Sequence, residues 1–199
     1  MKLYFSPGTC SLSPHIVAHE LGIPLELVKV DIRAHKLADG GDYLAINPKG
    51  YVPALGLDNG QLLTEGTAIV QYLADQKPDG KLAPANGTFE RSRLQEMLGF
   101  LSTEIHKTYS PLFSPATPPE VRKERMDYLL KRYALIEKTL GTQSYLFGEQ
   151  FTVADAYLFT VTSWAPHVKL DLSSLPNVEA FQKRVAARPA VQAARAAES

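Results

Sequence analysis

The chain has one cysteine, Cys10, and its setting suits sulfur chemistry. It follows Lys2-Leu3-Tyr4-Phe5, an aromatic and apolar run with the character of a short buried strand. Ser6-Pro7-Gly8-Thr9 breaks that run, and Leu12, Ile16, Val17 and Leu21 then recur near helical spacing. Cys10 is therefore expected in a strand-to-helix turn, at or just before a helix N-terminus. Unpaired N–H groups and the helix dipole there favour negative charge, either a Cys10 thiolate or the sulfur of a bound thiol. Free cysteine is as often a small buried hydrophobe, and position alone leaves both readings open. Glu65-Gly66 marks a second strand-to-helix junction. Helix-terminal N–H groups suit a carboxylate there and Glu65 suits an ammonium, unless Glu65 simply complements the helix dipole. His106 lies at the core-facing edge of a later helix, where a lone histidine is more often structural than functional.

Two other constellations carry less. His15 and His19 stand four apart on one helix, a spacing that can hold a metal. No third ligand lies near in sequence, exposed helical histidines are common, and no metal site is expected. Ser11, His106 and Asp155 supply the residue types of a hydrolase triad, but no G-x-S-x-G elbow accompanies them. Asp155 is better read as a cap: Thr152 and Asp155 have capping-box spacing, with Phe151 and Ala156 at the staple positions.

The elements that position these residues fall into two styles. Up to about residue 80, strand-like runs alternate with helices. Glu26–Asp31 and Ile32 alternate polar and apolar, and Asp58-Asn59-Gly60 separates Ala54–Leu57 from Gln61–Thr64 as a hairpin turn. A helical apolar face returns at Ala68–Leu73. The order β-α-β-α-β-β-α predicts a mixed four-stranded sheet covered by helices. The Pro- and Gly-rich stretch 77–87 reads as a linker. Beyond it the signal is helical. Leu94, Met97/Leu98, Leu101 and Ile105 form one stripe, and Met126, Leu129/Leu130, Tyr133, Ile136 and Leu140 another, capped by Gly141. Phe181, Val185 and Val191 predict a last helical region interrupted by Pro189. Lys+Arg and Asp+Glu are both 21, a formal net charge of +0, which announces neither nucleic acid nor an anionic membrane. With one cysteine, no signal-like leader and no apolar run of membrane-spanning length, a cytoplasmic protein is expected.

Five segments together resemble the glutathione S-transferases, the bacterial beta class most closely: Ser6-Pro7-Gly8-Thr9-Cys10-Ser11, Asn47-Pro48-Lys49-Gly50-Tyr51-Val52-Pro53-Ala54-Leu55, Leu63-Thr64-Glu65-Gly66-Thr67-Ala68-Ile69, Glu104-Ile105-His106-Lys107 and Phe151-Thr152-Val153-Ala154-Asp155-Ala156-Tyr157. They run almost from one end of the chain to the other. The resemblance implies an α/β thioredoxin-like domain over 1–80, a linker at 81–87 and an all-α helical-bundle domain over 88–199. It implies conjugation of the glutathione thiolate to small hydrophobic electrophiles by a homodimer, with glutathione as co-substrate and no other cofactor.

The resemblance implies glutathione-binding roles for Cys10, Ser11, His35, Lys36, Val52, Pro53, Glu65, Gly66, Thr103 and His106. Cys10 and His106 serve the sulfur, with Lys107 adding positive charge beside His106. Val52-Pro53 is expected cis, turning Val52 backbone groups toward an extended peptide as in strand addition. The electrophile is assigned to Tyr109, Phe113 and Trp164. Four positions depart from the family: His35 stands for a lysine, Gly66 for a serine, Gly99 for an asparagine whose contact crosses the dimer, and Phe5 for the tyrosine of other classes. Two other functions remain: a glutathione-dependent thiol–disulfide oxidoreductase using a Cys10 mixed disulfide, since C-x-x-S lacks a resolving cysteine, and a non-enzymatic glutathione-binding protein.

Overall fold

The computed structural model describes residues 1–198 and divides into two units: Met1–Ala83 joined by the residues from Ala187 onward, and Pro84–Ala186. In the first unit the elements are β1 (Lys2–Phe5), α1 (Leu12–Leu21), β2 (Glu26–Asp31), β3 (Lys36–Leu37), β4 (Ala54–Gly56), β5 (Leu62–Thr64) and α2 (Gly66–Gln76). The strand order is β3-β2-β1-β4-β5, with β2 parallel to β1 and the other pairings antiparallel. The sheet is thus the expected mixed four strands plus a two-residue fifth, β3, on its edge.

The helix expected between the second strand and the hairpin is not there. A single 3-10 turn at Tyr43–Ala45 takes its place, with the Asp42 carboxylate accepting from Leu44 N–H. Left-handed φ values at His35, Gly40 and Gly50 keep the segment in turns. It is anchored by Tyr43, which is fully buried with Val30 and Val52. Its hydroxyl and the Asn47 amide both donate to Tyr51 C=O at 2.8 Å, pinning the loop that leads into Val52-Pro53.

The second unit holds α3 (Phe89–Phe100), a π-helical turn at Leu101–His106, α4 (Lys107–Tyr109), a 3-10 turn at Ser110–Phe113, α5 (Pro119–Leu140), α6 (Val153–Thr162), α7 (Ala165–Val168) and α8 (Pro176–Ala186). Both stripes bury as their spacing requires: Leu94, Leu98, Leu101 and Ile105 from one, Leu129, Tyr133, Ile136 and Leu140 from the other. α6 is buried along its whole length, and its start carries the predicted capping box. The last helical region is two helices. Pro189 opens a separate α9 (Pro189–Ala197), since proline is well placed in a first turn.

α9 belongs to the first unit, so the helical unit ends before the 199 expected for it. Two side-chain contacts tie α9 and its start to α1: a fork from Arg188 to Glu20 at 2.6 and 2.9 Å, and His15 Nδ1 to Glu198 at 2.9 Å. His15 is accordingly buried rather than solvent-exposed, and its Nε2 meets that of His19 at 3.2 Å. No helix among the described residues is long and apolar enough to cross a membrane.

Candidate functional site

In the first unit, three loops gather at one end of the sheet. The first follows β1. Thr9 Oγ1 donates to Ser6 C=O at 2.8 Å, and Ser11 Oγ bonds Ser6 C=O, Ser6 N–H and Thr9 Oγ1. Ser11, fully buried, thereby braces the turn instead of presenting its hydroxyl outward. Cys10 stands at the turn's apex just before α1, as expected. Its thiol donates to Val52 C=O at 3.2 Å, across the sheet end to the second loop.

Of the readings the sequence leaves open, the surroundings of Cys10 do not favour its own thiolate. Burial pushes the thiol up to about 12, and the Glu65 carboxylate adds to the rise; the favourable bond from its own N–H is outweighed. Cys10 is a protonated hydrogen-bond donor at neutral pH.

The Val52-Pro53 bond is cis. Val52 C=O is occupied by the Cys10 thiol, while its N–H meets no acceptor among the described residues. At the third loop Glu65 is the N-cap of α2, with φ 68° and ψ 113°. A non-glycine residue held there is uncommon and concentrates at functional positions. Lys49 Nζ reaches Glu65 Oε1 at 2.7 Å and Thr64 Oγ1 at 2.9 Å. Nothing in the sequence pointed to this role of Lys49, because a contact across sixteen residues leaves no local pattern. His35 has φ 52°, and its ring covers Gly50 so closely that a Cβ there would sit 2.8 Å from Cε1. Its Nδ1 is buried without a partner, whereas Lys36 is exposed.

In the second unit the π-helical turn carries His106. Its Nδ1 lies 2.5 Å from the Tyr157 hydroxyl, and its ring meets Tyr157 and Trp164 edge-on at 5.7 and 4.9 Å. Burial, with Lys107 beside it, pushes the imidazole down to about 4. Trp164 in turn meets Tyr109 at 5.7 Å and Phe113 at 5.5 Å, so His106, Tyr109, Phe113 and Trp164 form one aromatic cluster. Within it Phe113 is half exposed while Tyr109 is fully buried. The Tyr109 hydroxyl is committed to Tyr133, which donates to Thr162 Oγ1 at 3.1 Å. Tyr109 therefore backs the cluster rather than facing a ligand with its polar end. Thr103 Oγ1 donates to Gly99 C=O at 3.1 Å, and open space lies where a Gly99 side chain would be. Tyr157 carries no sequence signal of its own, since nothing local links it to a histidine 51 residues away.

His106 binds its proton more weakly folded than unfolded, so the fold loses stability as pH falls from about 6.5 toward 4 and is indifferent to this group above that window. Against His106→Gln, which does not titrate, the parent chain should lose roughly 2 kcal/mol more between pH 7 and pH 5. Paired thermal melts decide it, and parallel curves would mean that His106 titrates as it does unfolded.

A thioredoxin-like unit with a cis-proline loop beside a strand-to-helix cysteine, followed by an all-helical unit, defines the class. Sequence-family profiles agree: Glutathione S-transferase, N-terminal domain, matches residues 8–76, and Glutathione S-transferase, C-terminal domain, residues 100–189. Glutathione S-transferase GstA of Escherichia coli O157:H7 is 47% identical over 198 residues, covering 100% of this chain and 98% of its own. The bacterial beta class glutathione S-transferase of Sphingomonas chungbukensis superposes with a TM-score of 0.96 at 46% identity, covering 100% and 99% of the two chains. A sphingomonad glutathione S-transferase solved in complex with glutathione gives 0.96 at 44% identity, covering 100% and 98%. The chain belongs to the glutathione S-transferase family, and its likeness to the beta class extends over its whole length.

Proposed function

We propose that this chain binds glutathione on its first unit and transfers it, as the thiolate, to small hydrophobic electrophiles held by the aromatic cluster of its second unit. The observation that carries the binding reading is the Val52 backbone beside Cys10. An N–H without an acceptor among the described residues, and a carbonyl held there by a thiol alone, are what an extended peptide needs to add as a short strand. The γ-glutamyl head falls to the third loop. Glu65 takes its ammonium, and the Gly66 and Thr67 N–H groups at the start of α2 take its carboxylate. His35 and Lys36 take the glycine end, Lys36 being exposed there. The site works in a cytoplasmic homodimer with glutathione as co-substrate. Phe113, half exposed against Trp164, offers the electrophile an apolar surface. His106 acts on the sulfur.

Glu65→Ala tests the pose. Losing a charge-assisted contact to an ammonium costs about 1.5–3 kcal/mol, so affinity for glutathione should fall roughly 10- to 100-fold by titration calorimetry. The melting temperature should barely move, because the Lys49 pair lost with Glu65 is exposed at both ends and such pairs contribute little. Unchanged affinity would remove Glu65 from the site. The disulfide-exchange alternative gains nothing from a thiol pushed up to about 12, since the attacking species is the thiolate.

A further inference from the structure

We propose that Tyr157 is a positioning residue for His106: its hydroxyl donates to Nδ1 and holds the imidazole as the neutral tautomer protonated on Nε2. The Tyr157 oxygen and His106 Nδ1 are 2.5 Å apart, so one of the two must donate. A phenol is a far stronger acid than a neutral imidazole N–H, and an unprotonated imidazole nitrogen is a far better acceptor than a phenol oxygen. The pairing O–H to Nδ1 uses the better donor and the better acceptor, so it wins. The ring is neutral throughout the neutral range, because burial holds it near pH 4.

The choice of tautomer decides what His106 does. With Nδ1 committed to Tyr157, the proton sits on Nε2, which has no hydrogen-bond partner among the described residues. The edge contacts of Trp164 at 4.9 Å and Tyr157 at 5.7 Å restrict the ring, so the Nε2–H vector is fixed before any ligand arrives. A fixed neutral N–H stabilises an anion by hydrogen bonding and cannot accept a proton from a thiol. His106 is thus a preorganised donor and not a general base. This use of the donor rests on the conjugation reading, while the tautomer itself does not.

Two measurements on the full-length chain separate these levels. Histidine-selective nitrogen-15 spectra at neutral pH should show His106 Nδ1 unprotonated and Nε2 protonated. Tyr157→Phe should relax this to a mixture of tautomers and raise the His106 midpoint, because a bond to the neutral form has been lost. In the assay with glutathione and an aryl halide, Tyr157→Phe should lower kcat about tenfold with KM for glutathione nearly unchanged, as loss of orientation alone predicts. His106→Gln, which can place an amide N–H near the Nε2 position, should keep more activity than His106→Asn. A protonated Nδ1 in the parent spectrum overturns the proposal. So does equal activity of the Gln and Asn variants, a result that remains decisive should Tyr157→Phe fail to fold. Absence of conjugation in the parent chain would sink the functional reading instead, leaving the tautomer to be judged by the spectrum.

Discussion

Asp155→Ala is expected to cost the second unit about 4 kcal/mol, a loss large enough to threaten the fold. Asp155 is completely buried and touches no proposed ligand. Its Oδ2 accepts from Thr152 N–H at 2.8 Å and Thr152 Oγ1 at 2.7 Å, closing the capping box of α6, and its Oδ1 accepts from Leu146 N–H at 2.8 Å. Alanine strands two buried amide N–H groups, each worth about 1–3 kcal/mol when unsatisfied, and removes the cap. For a chain of this size the melting temperature should fall by about 10 °C. Asp155→Asn keeps an acceptor for Leu146 and should lose roughly half as much. A loss below about 1 kcal/mol for the alanine variant would show that water or the backbone satisfies those amides.

Asp155 also titrates in the sense opposite to His106. Burial pushes its carboxyl up to about 6 despite the three donors. The folded chain therefore binds that proton more tightly than the unfolded one, and stability from this group rises as pH falls from about 6 toward 4. The two slopes oppose each other in the acid limb. Only the difference between parent and variant isolates either residue.

What the sequence made legible was local. The β1 run, the Asn59-Gly60 hairpin, the apolar stripes and the Thr152–Asp155 spacing are patterns confined to a few turns of chain, and each formed as its spacing required. The segment between β2 and β4 misled because its shape is set by one buried anchor, Tyr43, and by left-handed residues, not by a periodic face. The placement of α9 was invisible for a different reason. Its ties run from Arg188 to Glu20 and from Glu198 to His15, separations of 168 and 183 residues, and no window along the chain contains both ends. The same holds for Lys49 on Glu65 and Tyr157 on His106. Residue types at the candidate site could be named from the sequence; their partners, and hence their protonation, could not.

Cys10 makes that distinction testable. Its sequence position leaves a thiolate and a buried thiol equally open, whereas its surroundings hold a protonated thiol against the Val52 carbonyl. Alkylation by iodoacetamide at pH 8 should therefore run at least about 100-fold slower than for an unhindered cysteine, whose pKa lies near 8.5. The rate should still be climbing at pH 10, where an ordinary thiol has levelled. Slow alkylation and active conjugation are compatible only if the nucleophile is the ligand's own sulfur. Cys10→Ala should accordingly keep most of the conjugating activity toward an aryl halide, since the backbone N–H of residue 10 and the dipole at the start of α1 remain. The same variant should lose any adduct with oxidised glutathione, visible as a mass increase that reduction reverses, because that bond needs a protein sulfur. Fast alkylation at pH 8 together with loss of conjugation in Cys10→Ala, at unchanged glutathione affinity, would overturn this assignment and make Cys10 itself the reacting group.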